Sequence, residues 1–600
     1  MPNFYLGGPV DPETGNRIES ESTLYDPTDL TTHGVIVGMT GSGKTGLGII
    51  YLEEALRSGI PTLILDPKGD MTNLLLTFPG LAPADFEPWI DPAVPTGKTV
   101  AIVAEETAAL WSDGLATWGL GGSDIRDLRN HAGFTIYTPG STAGTPLNLV
   151  GSLAAPDGSF DDHTEAFRDE TQGFTAGLLG LVGINADPIS SRENILIANL
   201  VERAWRDGQM LTMETLLGWI QRPPMRKLGV FDIETFFPSH DRLALAMKLN
   251  GLLASPGFDT WMSGAPVYIP SMLWDEDGRP QAAVVYLAHL SDEERQFAVT
   301  LVLSKLITWM RSQQGTGDLR VLVYMDEVFG FVPPVANPPT KGPILTLLKQ
   351  ARAYGVGLLL STQNPVDLDY KAMSNAGTWC IGRLQTERDK TRIVQALAST
   401  SGGVDVDELA ERISGLAKRA FVLHNAHESE PQLFTTRWAM SYLGGPLTTI
   451  QISALTPHEE GATVPSALAS RIARSADPSN RRSPTTRSTS CRPLPAVYPR
   501  FTSTLLPHGL RPSVPPPCLH DTRRPLRSES PPAMTTHAPV STTWPSGRPS
   551  SSRSPTMRRT SRRWITTHET SLTQRFRRLR TYSPRCGSIH QHSGRRSPSR

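Results

Sequence analysis

Residues Gly38 to Thr45 read Gly-Met-Thr-Gly-Ser-Gly-Lys-Thr. Their types and spacing fit G-x-x-x-x-G-K-[ST], a loop built to hold phosphate. Gly41 and Gly43 permit a tight turn that aims backbone N–H groups at phosphate oxygens. Lys44 brings a point charge, and the Thr45 hydroxyl is a ligand type for Mg²⁺. Gly38, Met39, Thr40, Gly41, Ser42, Gly43, Lys44 and Thr45 are therefore the candidate phosphate-binding residues. The plainer alternative is a glycine-rich turn beside a surface lysine.

Two acidic stretches belong to the same chemistry. Arg320-Val-Leu-Val-Tyr-Met-Asp-Glu327 is an apolar run ending in two carboxylates. Beside a phosphate loop, Asp326 suits a metal-orienting role, and Glu327 suits positioning or deprotonating the water that attacks a terminal phosphate. Either acid could instead cap a helix. Pro61-Thr-Leu-Ile-Leu-Asp66 leads into Pro67-Lys-Gly-Asp70. Asp66 falls at the carboxyl end of a strand, where ligands bind in open α/β sheets, although a solvated turn reads the same way. Gly355 to Gln363 is another apolar run with a polar end, and Gln363 suits contact with a terminal phosphate or its attacking water. It could equally satisfy a loop backbone. Arg352 and Arg383 are candidates for an arginine reaching a neighbouring subunit's nucleotide, since planar guanidinium matches spread phosphate charge. Most arginines are surface ion-pair partners.

The elements that must hold these groups alternate between strand and helix. Val35–Val37 reads as a buried strand, and Gly46 to Arg57 as the helix that the loop opens onto, where the dipole favours an anion. Residues 283–288, 320–327, 355–363 and 378–384 read as further strands. Ser291-Asp-Glu-Glu294 is a capping box that starts a helix to about Arg311. Arg192 to Trp205 has apolar positions at helical spacing. Residues 79–158 read as irregular apart from a short strand at Phe134 to Tyr137. Arg419 to His424 and Gln432 to Trp438 read as two final strands. The expected layout is a short polar segment with strands (1–32), an α/β core (33–158 and 281–455), a mainly helical insertion (159–280), and a tail (456–600).

The formal net charge of zero conceals two kinds of chain. From Arg471 onward there are 25 arginines, no lysine and four acids, about +21, which leaves about −21 on the residues before. Nineteen of the 51 prolines also fall there. Such a segment buries too little to fold and is expected to be disordered. An arginine-rich tail can bind nucleic acid. Dense Arg, Pro, Ser and Thr without lysine is also what an out-of-frame reading yields, and no function is assigned to it. Four cysteines without CxxC spacing indicate neither a disulfide framework nor a zinc site. No apolar run reaches the roughly 18 residues of a membrane span, and the N-terminus lacks signal-peptide features. The folded part is expected in the cytoplasm.

Taken in order, Gly34 to Thr45, Leu65 to Asp70, Met325 to Glu327 and Lys349 to Pro365 resemble the HerA/FtsK superfamily of P-loop ATPases. The likeness is nearest to bacterial HerA-like proteins with a DUF87-type domain. It spans roughly residues 1 to 455. The resemblance implies a RecA-like core, a hexameric ring, ATP and Mg²⁺, and movement of double-stranded DNA, often beside a NurA-type nuclease. It places the Walker A loop on Gly38 to Thr45, the Walker B acids on Asp326 and Glu327, the sensor on Gln363, and the trans-acting arginine on Arg352 or Arg383. HerA itself carries a β-barrel before the loop, and here only 37 residues precede Gly38. Two rival readings stand beside this one: a ring ATPase with protein cargo, and a nucleotide-binding scaffold with little turnover.

Overall fold

The computed structural model describes residues 2–456, apart from 92, 94–96, 151, 152, 154, 156–163, 385, 401–405 and 429. The chain divides into two units, Met1–Arg487 and Ser488–Arg600, and the described residues all belong to the first. The arginine-rich tail, and the readings made of it, lie outside them.

Eleven strands form one sheet. In chain order they are β1 (Phe4–Pro9), β2 (Thr23–Tyr25), β3 (Gly34–Val37), β4 (Thr62–Asp66), β5 (Gly133–Tyr137) and β6 (Gln281–Tyr286), followed by β7 (Val321–Met325), β8 (Val356–Thr362), β9 (Thr378–Ile381), β10 (Ala420–Asn425) and β11 (Gln432–Thr436). Their spatial order is β2-β1-β11-β10-β9-β3-β8-β7-β4-β6-β5. From β9 to β5 every neighbouring pair is parallel. From β9 back to β2 every pair is antiparallel. The strand before the phosphate loop is thus separated by one strand, β8, from the strand that ends at Asp326. This is the RecA-like P-loop order, with a mainly parallel sheet.

The central strands β3, β4, β7, β8 and β9 are buried throughout and mainly apolar because both faces are covered. In β3, Val35 and Val37 point into one core and Ile36 into the other. The same period of two divides Leu63 and Leu65 from Ile64, and Val321, Val323 and Met325 from Leu322 and Tyr324. One face is covered by α1 (Lys44–Arg57), α2 (Val100–Ala116) and α3 (Gly122–His131). The other carries α4 (Thr164–Leu181), α5 (Arg192–Arg206), α6 (Met213–Gln221), α7 (Ser239–Leu253) and α8 (Asp292–Arg311).

The helical segment shares the core of that second face. A Cβ on Gly173 would overlap Ser304 Oγ, and one on Gly177 would lie 2.8 Å from the Phe297 ring, so α4 and α8 approach closely where α4 lacks side chains. Ser291 caps α8 with the expected box, its hydroxyl accepting from Glu294 N.

One expectation is corrected. The stretch 79–158, read as irregular, contains among its described residues the helices α2 and α3. Ala104, Ala108, Trp111 and Leu115 form the buried stripe of α2 at helical spacing. The surrounding glycines and small residues weakened that signal.

Candidate functional site

The loop turns where glycine permits it. Gly41 has φ 79° and Gly43 has φ 105°, left-handed values that favour glycine. A Cβ on Gly43 would also meet Arg419 Cα at 3.2 Å. Lys44 opens α1 and folds its ammonium back onto the loop, donating to the carbonyls of Gly38 (2.6 Å) and Met39 (3.3 Å). Burial lowers its pKa, while Glu327 and Asp326 act the other way.

Three strand ends deliver polar groups beside this loop. Asp326 follows β7 and is nearly buried, with Tyr324 donating its hydroxyl to Oδ1 at 3.2 Å. Burial, then Asp70, pushes its carboxyl above the usual range. Glu327 has φ 40°, a left-handed conformation costly for a residue with a Cβ. Backbone bonds hold that turn on both sides, from Asp326 N to Leu65 O and from Val328 N to Ser361 O. Gln363 follows β8. Its Oε1 accepts from Thr40 Oγ1 at 2.7 Å, and its Nε2 donates to Glu327 Oε2 at 2.7 Å. A hydrogen-bonded chain therefore runs from the phosphate loop to the second acid of the pair. Lys68 Nζ also donates to Glu327 Oε2, at 2.8 Å. Among the described residues, the hydrogen bonds to the Glu327 carboxylate both fall on Oε2.

Asp66 plays a different part. It is fully buried, and its two oxygens accept from Gly69 N (2.7 Å) and Met71 N (3.0 Å), which fixes the turn after β4. Burial and the nearby Asp326 raise its pKa to about 8. Its oxygens are not on the cavity wall.

The cavity beside the loop measures about 470 Å³. Thr40, Lys44, Thr45, Lys68, Asp70 and Gln363 line it together with Trp111, Arg419, Trp438 and Leu443. Trp111 and Trp438 meet edge to face with ring centroids 4.8 Å apart. This wall is anchored by Arg437, which is buried completely. Its guanidinium donates to Glu53 Oε2 and Glu54 Oε1, both at 2.9 Å, and to Tyr5 O at 2.9 Å. Burial works against its charge, but the two glutamates outweigh that and raise its pKa. Both glutamates lie on α1, the helix that begins at Lys44.

The two candidate arginines part company. Arg383 stands beside the loop, its carbonyl accepting from Met39 N at 2.9 Å and its Nε lying 3.4 Å from Met39 Sδ. Arg352 precedes β8, at the amino end of the parallel strands, and lines a separate cavity with Thr31, Lys349 and Tyr354. Within one chain it does not join the loop.

The sequence reading missed Lys68 as the partner of Glu327, and Arg437 and Trp438 as the far wall. The signal for Arg437 was present, because Glu53 and Glu54 interrupt an otherwise apolar helix and require a buried cation.

Among the described residues no set of three or more His, Cys, Asp or Glu side chains forms a metal cage. Mg²⁺ does not need one, since it commonly takes one or two protein oxygens and completes its shell with phosphates and water. Asp326, at the tip of β7 beside the loop, is the oxygen donor that fits that use.

A family model, the central domain of helicase HerA (DUF87), matches residues 15–117. The HerA resemblance is borne out over that stretch, which holds the phosphate loop and the turn from Asp66 to Asp70. No curated protein matches the sequence. Among solved structures, VirB4 of Thermoanaerobacter pseudethanolicus aligns at 12% identity and TM-score 0.42, covering 72% of this chain and 96% of its own. The bacterial conjugative coupling protein TrwB aligns at 12% identity and TM-score 0.41, covering 71% and 89%. The genome-packaging NTPase B204 of Sulfolobus turreted icosahedral virus 2 aligns at 15% identity and TM-score 0.21, covering 29% and 72%.

Proposed function

We propose that this chain hydrolyses ATP at the carboxyl end of its parallel strands and works as a HerA-like motor on double-stranded DNA, assembled as a homo-hexamer. The observation that carries the hydrolysis is the chain Thr40–Gln363–Glu327, which ties the phosphate loop to the carboxylate of the second acid.

In this reading Lys44 and the loop amides hold the β- and γ-phosphates. Thr45 and Asp326 would hold Mg²⁺, which supplies charge neutralisation on the phosphates when bound. Glu327 aligns a water and accepts its proton as the new O–P bond forms. The bond from the γ-phosphorus to the bridging oxygen breaks, and ADP leaves with inorganic phosphate. Gln363 couples the position of Glu327 to the loop through Thr40. The aromatic wall of Trp111 and Trp438 gives the base an apolar surface. Arg383 acts beside its own loop, while Arg352 acts only on a neighbouring copy in a ring.

DNA as cargo rests on the motif order and on the HerA match over residues 15–117. Steady-state ATP turnover with and without linear double-stranded DNA tests it. Stimulation by DNA that Lys44→Ala abolishes is the expected result. Turnover indifferent to DNA would redirect the search to a protein cargo. A NurA-type nuclease is the proposed partner, tested by co-purification with such a nuclease and by DNA-end degradation.

A further inference from the structure

The hydrolysis described above leaves Lys68 without a task. Its ammonium lies 2.8 Å from Glu327 Oε2 and lines the same cavity as Thr40, Lys44 and Gln363. Two further facts bear on it. The turn that carries Lys68 is fixed, because Asp66 binds the amides of Gly69 and Met71 on either side of Asp70. The side chain itself is 40% exposed and sits on a flexible four-carbon stem. A rigid base with a movable cation suits a change of partner. The present partner is also weakly held, since an ion pair this open to water contributes little.

A nucleoside triphosphate brings a stronger competitor into the same cavity. Its terminal phosphate carries more charge than one carboxylate, whereas a diphosphate lacks that group. We propose that Lys68 is a γ-phosphate sensor that exchanges partners: it pairs with Glu327 when no triphosphate is present, and with the terminal phosphate when one is. Glu327 then keeps the Gln363 amide that orients it and loses the ammonium that competes with water for Oε2. Losing the ammonium leaves the carboxylate with one fewer partner competing with the attacking water, and it does so only when there is a bond to cleave. Diphosphate leaves the pair closed. This inference rests on the ATP reading of the site and adds to it the means by which the site distinguishes substrate from product.

The test is equilibrium titration of the full chain with Mg²⁺–ADP and with the non-hydrolysable β,γ-methylene analogue of ATP. Lys68→Met is expected to weaken the analogue about tenfold and to leave ADP within about twofold. Lys68→Arg, which keeps the charge, restores most of the preference. Glu327→Gln removes the competing charge, so it tightens the analogue several-fold in the parent chain but not in the Lys68→Met background. A merely structural ion pair would weaken both nucleotides alike, and that result overturns the proposal, as does an unchanged preference in Lys68→Met. Should Lys68→Met fail to fold by circular dichroism, the Glu327→Gln arm decides, and failure to tighten the analogue relative to ADP overturns the proposal. If the parent chain binds no nucleotide, the ATP reading falls and the sensor falls with it. If nucleotide binds but its discrimination ignores Lys68, only the sensor falls.

Discussion

The two ends of the parallel sheet are built from the same strands and differ in the loops they carry. At the carboxyl end, β3, β4, β7 and β8 release the phosphate loop, the Asp66 turn, Asp326-Glu327 and Gln363. The backbone there takes left-handed values at Glu327 and Gly43, and side chains bond across from strand to strand. At the amino end, His33 also has a positive φ, 66°, but its ring is buried and accepts from Leu358 N at 3.2 Å. Arg352 and Lys349 line an open cavity there of about 670 Å³. At the amino end His33 joins β3 to β8, and the charged groups of the cavity come from one segment, Lys349 to Arg352. At the carboxyl end groups from several strand ends bond to one another beside a cavity. Parallel strands produce this asymmetry, because all their outgoing loops converge on one side.

The largest effect expected is on turnover. Lys44→Ala removes the charge that faces the phosphates and is expected to lower ATP turnover at least about a hundredfold, measured as phosphate release. Turnover within a factor of a few of the parent would remove the carboxyl end from the chemistry. Next comes Arg437→Met, which strands Glu53 and Glu54 without their cation. A loss of roughly 3–5 kcal/mol is expected by denaturant unfolding, because breaking a buried pair leaves uncompensated charge. A loss under about 1 kcal/mol would mean that the far wall is not anchored as described.

The amino end gives a pH signature. Burial holds the His33 pKa at about 4, against an ordinary value near 6.5. The unfolded chain therefore binds more protons between these values. The stability due to neutral His33 is present in full above about pH 6.5 and is lost as pH falls toward 4, by up to about 3 kcal/mol. His33→Asn, which removes the titrating ring, is expected to flatten that part of a melting-temperature profile against pH. An identical slope in the variant would show that His33 is not the titrating group. The smallest effect expected is none at all. Arg352→Ala should leave nucleotide affinity of the dilute chain unchanged in a fluorescence titration. A shift above about threefold would break the separation of the two ends.

Much of the carboxyl end is legible in the sequence, because each of its groups comes directly after an apolar run. Val35 to Thr45, Leu63 to Asp66, Val321 to Glu327 and Val356 to Gln363 each announce a strand and the residue at its tip. Local sequence does not show what lies across the cavity. Lys68 and Glu327 are 259 positions apart and meet only because β4 and β7 are neighbours. Arg437 and Glu53 are 384 apart and are joined by the return of β11 to β1. Helix α2 is hidden for a different reason. Three of its five buried residues are alanine or glycine, which contribute little contrast to a period of 3.6. Asp66 reads as a ligand-facing acid from its position, yet its oxygens are taken by the turn that it forms.

The central claim is that Glu327 performs the hydrolytic step at a site that other residues assemble. Glu327→Gln in the full chain tests this most directly, with nucleotide binding and phosphate release measured on the same sample. The account predicts that binding of Mg²⁺–ATP is retained or tightened while phosphate release falls about 10²- to 10⁴-fold. Phosphate release close to that of the parent, with binding intact, would contradict it.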